Sequence, residues 1–269
     1  MKKLALTSLL AVFAISGAHA ANVIDGNPLY MPRAGHFYSV SSLSSHSENA
    51  DSWALGEEFG YGVSDRLAIN VRSSISEDEG FDAMGWDEMD FGAAFRLIDE
   101  GGWKADLLGE YGFGPLWRDH MPHASFLDKH LTDYAWTVGA RGGYVGYGWT
   151  VAGHLMYSYV NSESFNWGED DFSMHIWRAG VDGQLLLDYN WNLVAGLEYM
   201  GFSDDEAHNA GSWTGTLGVN YNINPSAFVG AYVDVTMDHW KGDAEKADAE
   251  KGWGFKDGFG FGMKFGIDF

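Results

Sequence analysis

Seven basic side chains in this sequence fall in phase with apolar neighbours on the opposite face. Arg66 and Arg72 alternate with Leu67, Ile69 and Val71, and Arg96 stands opposite Phe95 and Leu97. Arg141 opposes Val138 and Ala140 by parity, Arg178 opposes Trp177 and Ala179, and Lys104 and Lys264 obey the same rule. The acids Glu58, Asp90, Asp106, Glu110, Asp182, Glu198 and Asp234 share those polar faces. Basic and acidic residues lining opposite walls of a water-filled channel can filter small polar solutes. They can equally pair across a narrow interior and plug it, a structural network with no conductance. Hydrolytic chemistry finds less support. His154 and Ser158 share a face but stand four residues apart, about 13 Å on an extended chain, too far for a nucleophile–base hydrogen bond. His120, His123 and His130 have only a loose metal-like spacing, which exposed loop histidines commonly show. Neither a Gly-x-Ser-x-Gly elbow nor a His-Glu-x-x-His pair occurs. The residues predict no enzyme, no cofactor and no dedicated metal centre.

Extended strands must position these side chains, because the apolar pattern repeats every second residue rather than every 3.6. The last segment is the clearest. Phe259, Phe261, Met263, Phe265, Ile267 and Phe269 make one face, and Gly260, Gly262, Lys264, Gly266 and Asp268 the other. Four further segments carry an aromatic at each end of the apolar face: Trp103 and Tyr111, Trp149 and Tyr157, Trp191 and Tyr199, Trp213 and Tyr221. Each pair is eight residues apart. That separation is about 26 Å of strand, or roughly 20 Å along a membrane normal after tilting, close to the ~25 Å apolar band between aromatic girdles of a transmembrane barrel. A soluble sandwich has no reason to hold Trp and Tyr at a fixed spacing. A Lys or Arg facing lipid at the midplane would cost about 2–4 kcal/mol, so the in-phase cations are expected to line the lumen. Glu57 lies on the apolar face of its segment, which suggests a bulge or a misplaced boundary there.

The same reading along the chain predicts twelve strands in an all-β, antiparallel up-and-down barrel. They are expected at Ala34–Ser44, Ser52–Gly62, Arg66–Ser76, Met89–Ile98, Trp103–Gly112 and Thr132–Tyr144. The other six are Trp149–Val160, Phe172–Leu187, Trp191–Phe202, Ser212–Ile223, Ala227–Asp238 and Gly258–Phe269. The first alternates poorly, so ten strands is the fallback. Short turns alternate with longer, polar connections, as periplasmic turns and extracellular loops do in bacterial barrels. An even count puts both termini on the periplasmic side. The long connections are acidic at Glu77-Asp78-Glu79, Glu169-Asp170-Asp171 and Asp204-Asp205-Glu206. Such runs can gather divalent cations, bridging lipopolysaccharide phosphates, or simply keep exposed loops soluble. The charged run Lys241 to Lys251 reads as a solvated hairpin tip.

The N-terminus reads as an export signal occupying residues 1–20. Lys2 and Lys3 precede an apolar run from Leu4 to Ile15, and Ala18-His19-Ala20 resembles a cleavage site. A periplasmic segment 21–33 and a barrel 34–269 then follow. Without Lys2 and Lys3, 14 basic side chains face 38 acidic ones, a formal charge of 14 − 38 = −24. Nucleic acid is excluded as a partner, because phosphate binding needs clustered Lys and Arg. Cysteine is absent and no mature segment reaches the ~18 apolar residues of a spanning helix.

With its signal, its girdled strands and its closing Lys264-Phe265-Gly266-Ile267-Asp268-Phe269, the chain resembles Gram-negative outer-membrane β-barrel proteins over its whole length. The resemblance implies that Phe265, Ile267 and Phe269 are read by the barrel-assembly machinery. Tyr61-Gly62-Val63-Ser64-Asp65-Arg66-Leu67 is similar to turns in transporter-like barrels, including those related to the MetA-pathway phenol-degradation family. The expectation is a narrow, passive, porin-like channel for small polar or amphipathic solutes, monomeric or weakly oligomeric. Its partners are the bilayer, lipopolysaccharide, the assembly machinery and small solutes. A non-conducting structural or surface-recognition barrel is the alternative, and a lipid-modifying enzyme a more distant one.

Overall fold

A computed structural model describes residues 27–46, 52–77, 85–113, 134–162, 172–204, 209–241 and 258–269. The export signal, the three-histidine loop, most of the acidic runs and the segment following Lys241 lie outside these residues. Twelve strands form: β1 (Phe37–His46), β2 (Ser52–Ser64), β3 (Leu67–Glu77), β4 (Gly85–Glu100), β5 (Trp103–Phe113) and β6 (Tyr134–Val145). They continue with β7 (Trp149–Ser162), β8 (Phe172–Leu186), β9 (Trp191–Asp204), β10 (Asn209–Asn224), β11 (Ala227–Lys241) and β12 (Gly258–Asp268). Each strand pairs antiparallel with its sequence neighbour, and β12 returns to β1 to close the ring. No sheet edge is left to aggregate. The ten-strand fallback is therefore set aside.

Closure depends on the chain end as well as on β12. The Phe37 amide donates to the Phe269 carbonyl at 2.8 Å and the Phe269 amide donates back at 2.9 Å. Their rings stack with centroids 6.0 Å apart. The poor alternation of β1 is compensated by this pairing, which runs from Tyr38↔Asp268 to His46↔Gly260.

Polarity is inverted relative to a soluble protein. Leu107, Val151, Leu197, Leu217 and Phe265 are exposed on the outer wall, while Asp106, Arg178 and Asn192 are buried inside. The girdles mix Trp and Tyr because neighbouring strands run in opposite directions. Trp191 meets Tyr221 at one rim with centroids 4.9 Å apart, and Tyr199 meets Trp213 at the other, 5.1 Å apart. Each such aromatic contact contributes about 0.5–1.5 kcal/mol beyond burial. The tight turn between β4 and β5 uses Gly101 (φ 57) and Gly102 (φ 88), positive values that glycine adopts without strain.

Two expectations change. β2 contains no bulge at Glu57: the ladders run regularly through Ser41↔Glu57 and Glu57↔Ser73. Glu57 faces outward in an unbroken strand because Ser39 and Ser41 of β1 satisfy its carboxylate, donating at 2.6 and 2.5 Å. Arg66 lies in the exposed β2–β3 turn and not on the inner face. There the Ser64 hydroxyl accepts from the amides of Arg66 and Leu67 at 3.2 and 3.1 Å, so β3 starts one residue later.

Candidate functional site: the barrel interior

The interior divides into two clusters of charge. In the first, alternation places Arg96 on β4, Asp106 on β5 and Arg141 on β6 in one row, Arg96↔Asp106↔Arg141. Arg96 grips Asp106 with two nitrogens, Nε to Oδ1 at 2.8 Å and Nη2 to Oδ2 at 3.1 Å. Arg141 Nε reaches Oδ2 of the same carboxylate at 2.8 Å. The Asp106 side chain is 0% exposed. A buried carboxylate between two guanidiniums repays its desolvation only through geometry as close as this.

Both arginines also reach a backbone carbonyl. Arg96 Nη2 donates to the Leu29 carbonyl and Arg141 Nη2 to the Tyr30 carbonyl, each at 2.7 Å. Within the stretch 21–33, read from the sequence as a periplasmic segment, the described residues up to Pro32 thus enter the barrel, and Arg33 is exposed. Leu29 is 1% exposed there. Tyr30 donates from Oη to Asp268 at 3.1 Å and meets the Tyr38 ring edge-on at 6.0 Å. The chain reverses into β1 at Gly35 (φ 83), whose amide donates to the Gly62 carbonyl at 2.7 Å. Sequence reasoning missed this segment, since two backbone carbonyls carry the contact and no residue type records them.

Above the segment, Arg72 donates to Asp90 from Nε at 3.1 Å and Nη2 at 3.0 Å, and its Nη2 lies 3.6 Å from Glu110. Tyr38 donates to Glu58 at 2.5 Å, and Asn70 to the same oxygen at 3.3 Å. A cavity of about 60 Å³ remains between Tyr30, Pro32 and this wall, room for a few waters.

The second cluster centres on His154 of β7. Its Nδ1 lies 2.9 Å from Asp182 and its Nε2 2.9 Å from Glu198, two strands away. A carboxylate only accepts, so the contacts are both satisfied when both ring nitrogens carry protons. Gly180 on the intervening strand makes the reach possible: a Cβ there would stand 2.7 Å from His154 Cε1. Ser158 belongs elsewhere, with Thr137 at 2.7 Å and Arg178 at 3.3 Å. Thr216 donates to Asp234 at 2.6 Å, and Lys264 Nζ lies 4.7 Å from the centre of the Tyr232 ring. Lys104 pairs with Asp99 at 3.1 Å beside the β4–β5 turn. Most of these charges pair between adjacent or next-adjacent strands along the wall.

The chain matches no family model and no curated protein sequence. Among solved structures it is similar to an outer membrane channel from Pseudomonas putida F1, with a TM-score of 0.64 and 11% identity over 92% of this chain and 100% of that one. NanC porin gives a TM-score of 0.56 and 7% identity over 85% and 98%. The translocator domain of the autotransporter NalP from Neisseria meningitidis gives 0.53 and 12% over 98% and 96%. The fold is that of a Gram-negative outer-membrane β-barrel. Its place is the outer membrane, with the girdled apolar band in contact with lipid. An outer-membrane barrel of twelve strands has more interior than the eight-stranded barrels that side chains fill, and less than porins of sixteen to eighteen strands.

Proposed function

We propose that this barrel is a narrow passive channel for small polar or amphipathic solutes, constricted by its own N-terminal segment. The observation that carries the reading is the shared Asp106 clasp, which holds the Leu29 and Tyr30 carbonyls against the inner wall. Wall charges that are paired laterally leave the axis to water and solute, and the residues from Asn27 to Pro32 then set the bore. Names given to similarly folded proteins, an outer membrane channel and a porin, support the reading. Planar-bilayer recording of the refolded protein tests it. Step conductance is expected for the whole mature chain, with a larger step after deletion of residues 21–33. Arg96→Ala and Arg141→Ala should each raise conductance and shift the reversal potential toward cation selectivity. No step in any of these proteins over a range of salts would overturn the channel. The occluding segment favours one competing reading, a non-conducting barrel of structural role, and silence of the deletion variant would establish it.

A further inference from the structure

The N-terminal segment enters the barrel without joining its wall. The ladders of β1 begin at Phe37, and the residues before it are held by side chains and by a few turn contacts. Asn27 to Tyr30 form a turn: the Tyr30 amide donates to the Asn27 carbonyl at 3.0 Å, and the Leu29 amide donates to Asn27 Oδ1 at 3.0 Å. Both amides are thus satisfied within the turn. The two successive carbonyls, of Leu29 and Tyr30, go to the guanidiniums of Arg96 and Arg141. Main-chain contacts of this kind give affinity without recording side-chain sequence.

The clasp suits a neutral acceptor. Arg96 and Arg141 share Asp106, and Arg96 Nη1 lies 3.6 Å from Asp99. Two positive charges therefore stand against two negative ones, and an anion finds no net positive charge among these four groups. A carbonyl, an acceptor with two lone pairs and no charge, fits such donors. Apolar side chains are accommodated as well: Leu29 is buried, and the Tyr30 ring lies edge-on to Tyr38. The cavity beside Tyr30 and Pro32, edged by Glu58, Arg72 and Glu110, has room for the water that replaces a departing carbonyl.

The geometry points to a binding site for short, uncharged, turn-forming peptides, which the barrel's own residues 27–30 occupy as a tethered stand-in. The inference rests on the channel reading and names its cargo. Exchange breaks no strand pairing, because the turn belongs to no ladder. A segment tethered by a short linker competes at an effective concentration of roughly millimolar order, so peptide supplied in that range displaces it.

Uptake into proteoliposomes made with the whole mature chain tests the site, with rates taken above those of protein-free liposomes. The probe is tritiated acetyl-Asn-Pro-Leu-Tyr-amide, the sequence of residues 27–30 with both ends uncharged. Its reference is maltotriose, a neutral sugar of similar size. The peptide should enter several-fold faster than the sugar, and its entry should saturate. An analogue with a trans-alkene in place of the Leu–Tyr amide lacks one of the two carbonyls and should fall to the rate of the sugar. In Arg141→Ala the sugar should enter faster, through a wider bore, while the peptide-to-sugar ratio falls toward one. Equal entry of peptide and sugar, equal entry of peptide and analogue, or an unchanged ratio in folded R141A would each overturn the peptide site and leave the channel standing. Entry of neither solute would overturn the channel and the site with it. If R141A fails to fold, Arg96→Ala takes its place under the same criteria.

Discussion

Asp106 is the residue on which the interior most depends. It satisfies two guanidiniums at 2.8 Å each, and those guanidiniums in turn hold two carbonyls. Asp106→Ala takes the shared carboxylate from two buried guanidiniums at once, leaving Arg96 with Asp99 at 3.6 Å and the Leu29 carbonyl, and loss of one partner from a buried ion pair costs about 3–5 kcal/mol. Urea unfolding followed by tryptophan emission should register a loss of that order, larger than that of Asp90→Ala, which takes a carboxylate from Arg72 and from no second arginine. Gly180 makes a second prediction at this scale. A side chain there meets His154 Cε1 at 2.7 Å and the Leu197 carbonyl at 2.8 Å, so Gly180→Val should overpack the wall and cost about 1–3 kcal/mol in the same assay. The sequence placed Asp106, Arg96 and Arg141 on one face, because parity alone decides the face. It could not say that they share a row, since strand register depends on the turns and on closure.

At the scale of elements, the strand starts were legible where a tight turn precedes them. β5, β7, β9 and β11 begin at the predicted residue, and β10 and β4 begin earlier than expected. Those early starts extend the strands on the loop side, where alternation of lipid and lumen no longer dictates the composition and the pattern fades. The N-terminal element was not legible. Asn27 to Gly35 has no periodicity to read, and its fold is set by the turn at Gly35 and by arginines more than sixty residues away. Gly35→Val forces a β-branched residue into a positive φ, a local strain of about 1–3 kcal/mol. The segment should then leave its clasp more often. Single-channel records of G35V should show added open-state noise, and limited proteolysis should release the N-terminal residues faster than in the wild type.

For the whole molecule, closure is the decisive event, and Phe269 takes part in it through backbone as well as ring. Deleting Phe269 removes both amide–carbonyl bonds to Phe37 and the stacked ring. The heat-modifiable folded form in outer membranes should fall several-fold, whereas Phe269→Trp, which keeps the backbone bonds and an aromatic ring, should retain most of it. The sequence by itself determined the class: a period of two with aromatics eight residues apart fits a membrane wall, and in-phase cations within a strand face inward when the other face meets lipid, a rule that Arg66 in its turn does not follow. It left the count at twelve with ten as the fallback, and the pairing of β1 with β12 decided twelve. Only the tertiary structure decided what the interior contains. Register brought Arg96, Asp106 and Arg141 into one row and His154 across Gly180 to Glu198, and ring closure made an inside for the N-terminal segment to enter. Phe269 and Glu57 show the two limits. The terminal aromatic announces a closing strand from its own alternation, but a carboxylate on the lipid face acquires meaning only once its neighbours Ser39 and Ser41 are known to lie on the adjacent strand.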